Sequence, residues 1–60
     1  MDPDATLAIA LDQDVPFDDR QRAVADLLLW IERGGWPPKM WHGMSTIAVR
    51  AHCLAMLHDA

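Results

Sequence analysis

The chain has a single cysteine, Cys53, so no intramolecular disulfide can brace it, and no cysteine or histidine spacing suited to zinc appears. Basic residues are scarce. Five Lys and Arg face nine Asp and Glu, and the net charge of −4 argues against direct nucleic-acid binding, which draws on clustered cations. No apolar run reaches the roughly 18 residues of a membrane-spanning helix. No basic, apolar, small-residue leader opens the chain either, so the expectation is a soluble protein of the reducing cytoplasm with no membrane partner. A serine-centred elbow and a glycine-rich phosphate loop after a strand are also lacking. At 60 residues there is room for one domain, 1–60, and a domain this small buries too little surface to be more than marginally stable alone. With disulfide and metal set aside, self-association is the remaining common route to stability.

What is present is organised around Asp18–Pro38, DDRQRAVADLLLWIERGGWPP. Asp18 is placed to cap a helix, with Gln21 three residues on as the second half of a capping box. Val24, Leu27, Leu28 and Ile31 recur at the spacing of one helical face, while Arg22, Asp26 and Arg33 lie mostly opposite. Trp30 sits beside the apolar stripe. Gly34 can take the left-handed conformation that ends a helix, Trp36 can fold back on the last turn, and Pro37 and Pro38 prevent continuation.

Before this helix, Asp4 can cap Ala5–Leu11, with Pro3 tolerated in a first turn. The run TLAIAL alternates as a strand would, yet its alanines and the want of a second strand favour a short helix. Residues 12–17, DQDVPF, form a turn-rich connector, with Phe17 a possible staple for the next helix. Asp12, Asp14 and Asp18 fall at three positions of a calcium loop. The match then fails at Phe17 and Ala23, where glycine and glutamate belong. After the glycine-proline break, Ser45 is placed to cap a last helix, Thr46–His58. One face of it carries Ile47, Ala51, Leu54 and Ala55 with Leu57 or His58, and another carries Val49, Cys53 and Met56. A helix apolar on both sides calls for cover on both.

Chemistry-bearing groups do not converge. His52 and His58 stand about 240° apart around a helix, and His52 and Cys53 about 100° apart, so neither pair suits a metal or a nucleophile with its base. His42 is isolated in the connector, and Cys53 reads as a small buried hydrophobe. The expectation is therefore no enzyme activity, no catalytic residues, no metal and no cofactor.

Trp30, Trp36, Met40, Trp41 and Met44 gather around the central break, where the plainer reading makes them the core of a helical hairpin with the tryptophans filling its corner; with Val49, Cys53 and Met56 they are also the candidate partner-binding residues, since Trp and Met are enriched at interfaces and the core of a small oligomer is also its interface. Asp2, Asp4, Asp12, Asp14, Asp18 and Asp19 form a candidate acidic surface. Residues 1–32 carry −6 and residues 33–60 carry +2. Such a surface suits a basic partner, and its sharper form is an inhibitor that mimics nucleic acid.

The pattern Trp30-x-x-Arg33-Gly34-Gly35-Trp36-Pro37-Pro38 resembles one in small uncharacterised proteins of actinobacteria and their phages, in which a leucine-rich helix ends in a Gly-Gly-aromatic-Pro break. The resemblance covers the middle third of the chain. It implies a phage or bacterial accessory protein that acts by binding another protein, and it implies no site residues. The fold expected is all-α: two long antiparallel helices, Asp19–Arg33 and Thr46–His58, preceded by a short N-terminal helix and completed by oligomerisation. The function expected is a protein-protein interaction module that binds a second copy of itself or a host protein.

Overall fold

The structure, a computed structural model, describes residues 1–58, excluding the side chain of His58. It is all-α: α1 spans Pro3–Leu11, α2 spans Phe17–Glu32, a 3-10 turn spans Lys39–Trp41 and α3 spans Thr46–His58, with no strand among the described residues. The ambiguous TLAIAL run is thus helical. Its helix starts two residues earlier than the sequence suggested, because Asp2 is the cap. The Asp2 carboxylate accepts the Asp4 and Ala5 N–H groups at 3.1 and 3.3 Å, and Pro3 occupies the first turn, where its missing N–H costs nothing. Asp4 has a tertiary role instead, accepting the Lys39 N–H at 2.7 Å and so tying α1 to the 3-10 turn.

The start of α2 also departs from expectation. Pro16 is the residue before the helix and no side chain caps it, which places Asp18 and Asp19 inside the first turn. Proline fixes φ where the helix begins, and the two carboxylates there favour the exposed N–H end through the helix dipole. Gln21 is free of any capping box and donates to the Met56 carbonyl at 3.1 Å. Phe17 is exposed, with the Arg20 guanidinium 5.7 Å above its ring, and is no staple.

The end of α2 follows the sequence closely. Gly34 has φ +89°, its N–H donates to the Ile31 carbonyl, and the Gly35 N–H donates to the Trp30 carbonyl, which together make a Schellman cap. The Trp30 indole then lies over Gly35, donates from Nε1 to the Trp36 carbonyl at 2.8 Å, and meets the Trp36 ring edge-on at 4.9 Å. A Cβ at Gly35 would fall 2.3 Å from that indole. Gly35→Ala should therefore displace Trp30 and cost about 1–3 kcal/mol. Gly34→Ala has open space and only its left-handed φ to strain it, at about 1–2 kcal/mol. Urea unfolding of both variants checks the pair; a red shift of tryptophan emission before unfolding is expected for Gly35→Ala alone.

α1 and α3 both pack on α2, which is the central element. Arg50 in the second turn of α3 pairs with Glu32 at the end of α2, Nε to Oε1 3.1 Å, while Met56 near the end of α3 meets Gln21 near the start of α2. α2 and α3 are therefore antiparallel. Met1 lies beside Leu29 and Arg33, and Leu11 beside Phe17 and Arg20, so α1 runs antiparallel to α2 as well. The core joins Leu7 and Ala10 of α1, Ala23, Val24, Leu27 and Ile31 of α2, Trp41, and Val49 and Cys53 of α3. Leu28, Trp30, Met56 and Leu57 pack half-buried around it.

Candidate functional site

Ser45 caps α3, accepting the Ala48 N–H on its hydroxyl at 3.1 Å, and this sets the phase of the helix against α2. In that phase Val49 and Cys53 enter the core, and Met56 packs on its margin. Trp41, at 6% exposure, is also core, its ring edge-on to His52 with centroids 5.0 Å apart. These placements correct part of the partner-binding set: Trp41, Val49 and Cys53 are consumed by the chain's own interior, because α2 needs a matching apolar face and α3 supplies it. Trp30 and Met56 are half-buried on the same core. Of the remaining candidates, Trp36, Met40 and Met44 are exposed, at 63%, 70% and 38%.

The sequence-derived set omitted the residues that the fold leaves most conspicuously outside. Ile47 is 82% exposed, and Ala51, Leu54 and Ala55 follow it on the side of α3 turned away from Val49 and Cys53. Their spacing of four, three and one keeps them within one outward sector of the helix. Arg50 is the sole Asp, Glu, Lys or Arg on α3, and it is drawn toward Glu32 at the edge of this sector. The result is an apolar sector on a helix with no Asp or Glu of its own, bordered by the Glu32 carboxylate, on a chain of net charge −4.

No known protein family, curated protein or solved structure matches the chain. The surface itself is thus the evidence on function.

The six candidate aspartates do not form one surface. Because α1 and α2 are antiparallel, Asp2 and Asp4 stand at one end of the bundle, and Asp12, Asp14, Asp18 and Asp19 at the other. Asp2, Asp4 and Asp12 accept backbone N–H groups, the last from Asp14 at 2.9 Å, so half of the set has a local structural task. Near the second end, a groove of about 240 Å³ runs between Leu11, Phe17, Val24 and Met56, with Arg20 and Gln13 in its wall. Arg20 Nε is buried there without a hydrogen-bond partner, and the nearby aspartates oppose the entry of an anion.

The titratable groups with chemical potential are few. Among the described residues no three His, Cys, Asp or Glu side chains gather as a metal would require, and no helix is long and apolar enough to cross a membrane. The Cys53 thiol is fully buried, and desolvation raises its pKa above the ordinary 9.0. An aromatic disulfide reagent should therefore label it only as fast as the chain unfolds. The unfolded thiol ionises first, so this group's contribution to stability is complete below pH 9.0 and declines as pH rises beyond it. Urea midpoints on either side of that pH check the sign.

Proposed function

We propose that this protein is a non-enzymatic interaction module that works by laying the outward face of α3 against another protein chain. One observation carries the reading: Ile47 stands 82% exposed at the head of an apolar sector whose opposite side is already buried. Clusters of this kind on a small protein mark contact surfaces, while single exposed apolar residues do not. Trp36 and Met40, both widely exposed near the break between α2 and α3, are residue types that anchor such surfaces. The resemblance of the Trp30–Pro38 break to small actinobacterial and phage proteins fits an accessory protein of this sort, acting in the cytoplasm.

Ile47→Asp tests the reading with little risk to the fold. Residue 47 lies in the first turn of α3, where a carboxylate is favoured by the helix dipole. In a complex, the same carboxylate would lose about 1.5–3 kcal/mol of apolar burial and add a desolvation cost. Binding should fall at least tenfold, since about 1.4 kcal/mol is a factor of ten. In affinity capture from nuclease-treated lysate, a partner held at high salt by the wild-type chain and released by Ile47→Asp is the expected result. A partner lost with salt and indifferent to Ile47→Asp would replace this reading with the acidic one.

A further inference from the structure

We draw no further inference here: the strongest candidate, the exposed apolar patch of Ile47, Ala51, Leu54 and Ala55 on the outward side of α3, belongs to the contact surface already proposed, and nothing in the structure shows what covers it.

Discussion

Trp41→Ala is expected to leave the chain unfolded at room temperature. The indole is 6% exposed and contributes to the core from the 3-10 turn, between helices that otherwise meet through aliphatic and sulfur side chains. Within the turn Lys39 and Met40 are exposed and Trp41 alone is buried, next to the fully buried Pro38 that precedes it. Removing a buried tryptophan costs about 3–5 kcal/mol. A single core in a domain of this size rarely supplies more than about 3–5 kcal/mol. The two are equal within error, so the expected spectrum is that of a largely disordered chain, with no cooperative melt. Trp36→Ala is the control: its ring is 63% exposed and touches mainly Trp30, and the variant should remain folded. A cooperative, near-native melt for Trp41→Ala would move Trp41 back to the contact surface.

Leu27→Ala should be nearly as damaging. Leu27 is fully buried at the middle of α2, where the face of that helix is covered from both sides by α1 and α3. With Val24 and Ile31 one turn away on either side, the site has little freedom to collapse. The cost is about 2.7–5 kcal/mol, at the upper end if the cavity stays open. Both flanking helices lose the same partner, so helicity should fall across the whole chain in one transition. Leu28→Ala, at a half-buried position next door, should shift the urea midpoint while leaving a folded baseline. Loss of α1 alone in Leu27→Ala, with α2 and α3 intact, would show that α1 docks independently.

The two long helices were legible in the sequence, and the reason is local. Apolar spacing in Val24–Ile31, the Gly34-Gly35 stop and the Ser45 cap each act within a turn or two of themselves, and all three stand where expected. The starts of α1 and α2 were less legible. Asp2, Asp4 and Asp18 are all competent caps, and the choice between them depends on Pro3 and Pro16 and, for Asp4, on a bond to Lys39 that is distant in sequence. The role of each face of α3 was not legible at all. Periodicity identified Ile47, Ala51, Leu54 and Ala55 as one face and Val49, Cys53 and Met56 as another, but both are apolar, and only packing against α2 decides which turns inward. Assigning Val49 and Cys53 to a partner was the consequence. Trp41 could be read as core or as interface for a related reason: an aromatic residue in a connector carries no periodic signal to decide between the two.

A matched pair of substitutions on α3 tests the division of that helix most directly. Ile47→Asp and Val49→Asp introduce the same side chain two residues apart on opposite sides of one helix. Thermal melts followed by circular dichroism, in solutions dilute enough to hold the chain monomeric, should give a wild-type midpoint for Ile47→Asp and no folded baseline for Val49→Asp. An Ile47→Asp chain that fails to fold, or a Val49→Asp chain that melts like wild type, would contradict an α3 with one face for the fold and one for a partner.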